Sequence, residues 1–96
     1  MGLDGIKRTL EKEMGNMRGN YHVSKVGIFG SVARGEAKKG SDVDILVEFK
    51  DGADLYDLVG LSDFLAAKLG RKVGLASKRG MKPRILREAL KDAVFV

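Results

Sequence analysis

The chain has 96 residues, which allows one domain with a modest core. Its 44% apolar and 32% charged residues are those of a globular protein, and no apolar run approaches a membrane span. With no cysteine, disulfides and thiolate metal sites are excluded, while a net charge of +5 favours anionic partners such as nucleotides, nucleic acids or acidic protein surfaces.

Leu3, Ile6, Leu10, Met14 and Met17 recur at helical spacing, which predicts a first helix to about Arg18, punctuated by Gly19-Asn20. This segment is amphipathic and lacks the apolar block of a signal peptide, so a cytoplasmic protein is expected. His22, the only histidine, falls at a strand entrance and is read as a surface residue rather than a ligand. Lys25 to Phe29, with Val26, Ile28 and Phe29, reads as a buried strand that stops at Gly30. Gly30 permits a sharp turn and close approach of a ligand. Ser31 can cap the short helix that follows or bond a phosphate oxygen, and Arg34, one turn on, can add a charge-assisted contact. Ala37 to Gly40 reads as a loop, with Lys38-Lys39 placed to face phosphates.

Asp42 to Phe49 is the clearest strand. Alternation directs Val43, Ile45, Val47 and Phe49 to a core and puts Asp42 and Asp44 on the other face, their Cα atoms roughly 6–7 Å apart. Two such carboxylates can share magnesium, which prefers oxygen ligands and usually takes one or two carboxylates plus substrate phosphates. Asp51-Gly52 is a turn and Asp54 a helix cap. Leu55, Leu58, Ser62, Leu65 and Leu69 form one face of the next helix, which stops at Gly70, with Leu55 expected in the core and Tyr56 partly buried. Lys72 to Ala76 is a third strand, and a basic loop leads to Pro83, which opens a last helix carrying Ile85, Leu86, Ala89 and Leu90. The final Ala93-Val94-Phe95-Val96 is strand-like. No linker or repeat interrupts residues 1–96, and the alternating elements predict two layers around a small sheet.

Neither a Gly-Ser turn nor an Asp-x-Asp pair is specific alone. The order strand, Gly30-Ser31, short helix, Asp42-Val43-Asp44 strand is specific, because nucleotidyl transfer from a metal–nucleoside triphosphate needs both parts. The spacing Gly-Ser, ten residues, Asp-x-Asp, with Ala33-Arg34-Gly35 and Ser41-Asp42-Val43-Asp44-Ile45-Leu46-Val47, resembles the minimal nucleotidyltransferases of the DNA polymerase β superfamily along essentially the whole chain. That resemblance implies an α/β (α+β) fold with a small mixed sheet flanked by helices, a polymerase-β-like palm. It implies an antitoxin that transfers AMP from ATP to a tyrosine of a HEPN-type toxin. It also implies Asp42 and Asp44 as catalytic residues holding two magnesium ions, and Gly30, Ser31, Arg34 and Ser41 at the nucleotide. No membrane role follows, and with aromatics at only 6% and no tryptophan, direct nucleic-acid binding is not expected.

One position departs from the family. Its third carboxylate, in a pattern like Arg-Lys-Val-Asp-Leu, is replaced in Arg71-Lys72-Val73-Gly74-Leu75 by Gly74, which can neither complete a metal site nor help deprotonate an acceptor. Glu48 shares the strand face of Asp44 but lies roughly 13 Å along it, too far to substitute. Two function classes follow: a metal-dependent adenylyltransferase, and a catalytically impaired module that neutralises a partner by binding it.

Overall fold

A computed structural model describes residues 2–96. Helix α1 (Leu3–Asn20) leads into strand β1 (Val23–Phe29), the short helix α2 (Gly30–Ala33), strand β2 (Val43–Phe49) and helix α3 (Leu55–Leu69). Strand β3 (Val73–Ser77), a 3-10 turn (Lys78–Gly80), helix α4 (Pro83–Asp92) and strand β4 (Val94–Phe95) complete it. The sheet order is β3-β2-β1-β4, with β2 antiparallel to β1, β4 antiparallel to β1 and β3 parallel to β2. This is the expected mixed sheet flanked by helices.

The period-2 pattern of β2 explains the layering. Val43, Ile45 and Val47 point to one face and join Val26 and Ile28 of β1 in a buried cluster with Ile6, Leu10, Met14 and Met17 of α1 and Leu61, Leu65 and Leu69 of α3. Helix α3 is delimited by local chemistry. Asp54 and Asp57 form a reciprocal capping box at its start, and Gly70 ends it at φ 63°. Helices α1 and α3 are further joined through Glu13, buried beside Asn16 and 3.6 Å from the Lys68 ammonium.

Leu46, Asp44 and Glu48 alternate to the opposite face of the sheet. Leu46 is 2% exposed there although it lies outside the first core, and Ala89 of α4 is likewise buried outside it. Helix α4, which packs against β1 and α2, therefore covers this second face.

Five expectations need correction. Leu55 is 70% exposed rather than in the core, and Tyr56 is 88% exposed rather than partly buried. The stripe of α3 that meets the sheet is Leu58, Leu61, Leu65 and Leu69. At about 100° per residue this quartet centres about 75° from Leu55 and nearly opposite Tyr56. Strand β1 begins two residues earlier than its apolar run, because Val23 is fully buried, and β2 begins at Val43, with Asp42 just outside it. Strand β3 is shifted one residue along, to Val73–Ser77.

Candidate active site

The site forms where three strand ends meet. Antiparallel pairing sets Phe29, the last residue of β1, opposite Asp44 near the start of β2, and parallel pairing sets Gly74 of β3 opposite Asp44 on its other side. Residues in register share a sheet face, so the Gly30 turn and the carboxylate of Asp44 are brought together by the pairing itself.

Gly30 has φ +70°, a left-handed conformation, and a Cβ built on it would overlap the Asp44 carboxylate. The turn thus needs glycine twice over: for its backbone and for the room beside Asp44. Ser31 lies in α2, whose last residue is followed by Arg34, and the Ser31 carbonyl accepts from the Glu36 amide at 2.8 Å. The Arg34 guanidinium is 3.3 Å from Glu36 and 3.3 Å from Asp92 at the end of α4, so it joins the turn to α4 while lying close enough to Asp44 to influence its charge.

Asp42 is exposed and is bracketed by anchored neighbours. The Ser41 hydroxyl accepts from the Lys38 amide at 2.9 Å, the Ser41 carbonyl accepts from Arg71 Nη2 at 2.7 Å, and the Val43 amide donates to the Lys72 carbonyl at 3.0 Å. Ser41 therefore closes the loop through its own hydroxyl. Asp92 carried no motif signal, and the pattern that includes Arg71 gave it no role: their bonds to Arg34 and Ser41 span 58 and 30 residues, beyond any sequence pattern. His22 lies outside this site, its Nδ1 3.1 Å from Asp57. Glu48 faces Lys78 at 3.8 Å, at the far end of β2.

Burial raises the pKa of Asp44 above its ordinary value of 3.8, the neighbouring Asp42 carboxylate raises it further, and Arg34 partly opposes both. A carboxylate whose pKa is raised by folding binds its proton more tightly in the folded state. Its ionisation is then a penalty to folding above that raised pKa, relieved as pH falls through it. Asp44→Asn should accordingly leave the thermal midpoint at pH 7 equal or higher, and the difference between variant and parent should shrink on acidification. Melting curves across pH check this; a clear loss of stability in the variant would show that the carboxylate is structurally required.

Two hard oxygen donors on one face, in mutual repulsion, are a donor set that suits magnesium together with phosphate oxygens. Among the described residues, no group of three or more His, Cys, Asp or Glu side chains converges. The position where a third would stand is Gly74: a Cβ there would lie 3.0 Å from Asp44 Oδ1.

A groove of about 660 Å³ lies away from these carboxylates. It lies at the other end of β2, between the 50–55 turn, Ser77–Arg79 and Leu86. A smaller pocket of about 350 Å³ adjoins the motif turn at Val32, Arg34 and Gly35 and reaches Arg71. Asp42 is exposed and Asp44 half-buried, so this face is open enough to suit chemistry on a group presented by another molecule.

The sequence profile of the nucleotidyltransferase domain matches residues 7–96. The chain belongs to the nucleotidyltransferase family. The chain is 38% identical to the protein adenylyltransferase MntA of Thermococcus cleftensis, over 98% of this chain and 95% of the relative. Its structure matches that of a minimal nucleotidyltransferase with a TM-score of 0.84 and 36% identity, covering 98% of this chain and 95% of the other. It shares its fold, at a TM-score of 0.71 and 18% identity, with a chain from a complex of tri-AMPylated Shewanella oneidensis HEPN toxin and its MNT antitoxin, covering 96% of this chain and 69% of that one. No helix among the described residues is long and apolar enough to cross a membrane.

Proposed function

We propose that this nucleotidyltransferase is an antitoxin-type protein adenylyltransferase that moves AMP from ATP to a tyrosine hydroxyl of a HEPN-type protein. The observation that carries the proposal is the packing of the left-handed Gly30 against the Asp44 carboxylate, at the meeting point of the Gly-Ser turn and the Asp pair. In this reading Gly30 and Ser31 hold the terminal phosphates with Arg34 and Ser41 beside them, and Asp42 and Asp44 hold two magnesium ions. Magnesium bound there supplies neutralisation of the triphosphate and of the departing pyrophosphate. The tyrosine oxygen forms the new bond to the α-phosphorus, the bond from that phosphorus to the bridging oxygen of pyrophosphate breaks, and the hydroxyl proton passes to water. The residues contribute positioning and preorganised charge, as is usual in phosphoryl and nucleotidyl transfer. The name of the Thermococcus cleftensis relative and the AMPylated toxin of the Shewanella oneidensis complex support this choice of donor and acceptor.

Gly74 favours a second reading: a catalytically impaired module that neutralises a partner by binding it, with or without nucleotide. Calorimetric titration of magnesium–ATP separates the site from its chemistry. Asp42→Ala/Asp44→Ala should weaken binding about tenfold or more, since cation ligands and their supports typically carry that much affinity. Label from α-labelled ATP appearing on tyrosine of the HEPN-type protein then supports the enzyme, and binding without label supports the module. Equal magnesium–ATP binding by parent and variant would remove the enzyme reading and leave neutralisation by partner binding.

A further inference from the structure

The net charge of this chain is concentrated in one place. Residues 78–92 carry six Lys and Arg against Glu88 and Asp92, a net +4 of the chain's +5. Lys78 pairs with Glu48 and Lys91 with Glu88, but Arg79, Lys82, Arg84 and Arg87 are exposed and make no ion pair among the described residues. On α4, Ala89 and Leu86 face inward, so at about 100° per residue Arg84, Arg87, Glu88 and Lys91 form the outward face. Ile85, 54% exposed, and Leu90, 42% exposed, form the two shoulders of that face.

Two further facts make this more than a solvated helix. Lys82 is the N-cap of α4, Arg84 lies in its first turn, and no acidic residue accompanies them. Cations at a helix N-terminus oppose the macrodipole, and a local rule broken without internal compensation is typical of functional surfaces. The surface is also continuous with the candidate site, because Asp92 at the other end of α4 is 3.3 Å from Arg34, just after the Gly-Ser turn.

We infer that the outward face of α4, with Arg79 and Lys82 at its start, is the docking surface for the acceptor protein, and that it receives an acidic surface of that protein studded with apolar side chains. The inference rests on the reading that the acceptor is a protein. Charge complementarity selects an acidic partner, and the exposed Ile85 and Leu90 select a protein over a nucleic acid. No aromatic residue occurs in 78–92 on which a base could stack. Docking along α4 would present an acceptor side chain to the open Asp42–Asp44 face on the same side of the sheet.

The test uses the full chain and a purified HEPN-type protein, with Lys82→Glu/Arg84→Glu/Arg87→Glu as the variant. Affinity for the HEPN-type protein should fall by about tenfold or more, and the affinity of the parent should itself decline with rising salt. Magnesium–ATP binding should be unchanged. The thermal midpoint should not fall, since acidic residues at this helix N-terminus suit the macrodipole, so loss of folding cannot mimic the result. Unchanged affinity in the charge-reversed variant would overturn the inference and leave the proposed acceptor standing. A parent that fails to bind the HEPN-type protein but binds a transfer-RNA mixture, with that binding lost on charge reversal, would overturn both.

Discussion

Gly30→Ala is expected to lower the thermal midpoint by roughly 10–20 °C and to remove magnesium–ATP binding. Two costs add. An alanine held at the φ of +70° found at Gly30 meets the steric penalty of a left-handed backbone, about 1–2 kcal/mol. Its methyl group also overlaps the Asp44 carboxylate, and the Asp44 Cβ, 3.2 Å from the added Cβ, leaves little room even after the carboxylate rotates away. Overpacking of this kind costs about 1–3 kcal/mol. A sum of about 2–5 kcal/mol in a domain of this size covers the stated shift. The functional loss has the same origin: the cheapest relief is to turn the Asp44 carboxylate out of the site. Removing that side chain should rescue stability but not binding. In an Asp44→Ala background, which removes the carboxylate but keeps the Cβ, the cost of Gly30→Ala should drop toward the backbone part, about 1–2 kcal/mol. Thermal melts of the four proteins measure the coupling, and equal costs in both backgrounds would show that the contact is immaterial.

The parts of this molecule that sequence disclosed are those governed by local rules. Alternation in Val43–Phe49 separated the core face from the carboxylate face, and the structure keeps that separation. Asp54 and Gly70 delimited α3 because caps and left-handed stops depend on residues a few positions apart. The mixed strand order came from the family resemblance, since alternating helices and strands are equally compatible with an all-parallel sheet. Leu55 and Tyr56 were misplaced because a helix with leucine or valine at 55, 58, 59, 61, 65 and 69 has more apolar positions than one stripe can bury. Which stripe wins is decided by contact with the sheet. The Arg71–Ser41 and Arg34–Asp92 contacts that hold the site loop are likewise tertiary, joining residues with no shared motif. The adjacency of Gly74 and Asp44 lay between: the family pattern marked Gly74 as a missing acid, but only the parallel register of β2 and β3 turns that mark into a distance.

That distance leads to the prediction of largest effect on chemistry. Gly74→Asp should raise AMP transfer by roughly 10²–10³-fold, within the range a positioned acid or base contributes. The position accepts a side chain. Gly74 lies inside β3 without a positive φ, and the added Cβ would sit 3.0 Å from Asp44 Oδ1, a close contact that a few tenths of an ångström in the Asp44 side chain relieves. The new carboxylate would share the face of Asp44 and add a donor where cations are expected to bind. Stability gives an independent readout. A third negative charge beside Asp42 and Asp44 should cost folding free energy without cation, partly offset by replacing glycine within a strand, a gain of about 0.5–1 kcal/mol. The variant should therefore be stabilised by magnesium more strongly than the parent, whether or not ATP is present. Gly74→Asn, similar in shape but neutral, should show neither the added magnesium response nor the gain in transfer. If Gly74→Asp gains magnesium-dependent stability and transfer stays absent, the missing acid is not what limits this chain, and neutralisation by binding becomes its mode of action. If the parent already transfers AMP at the rate of the variant, two carboxylates and the Gly-Ser turn suffice for the reaction.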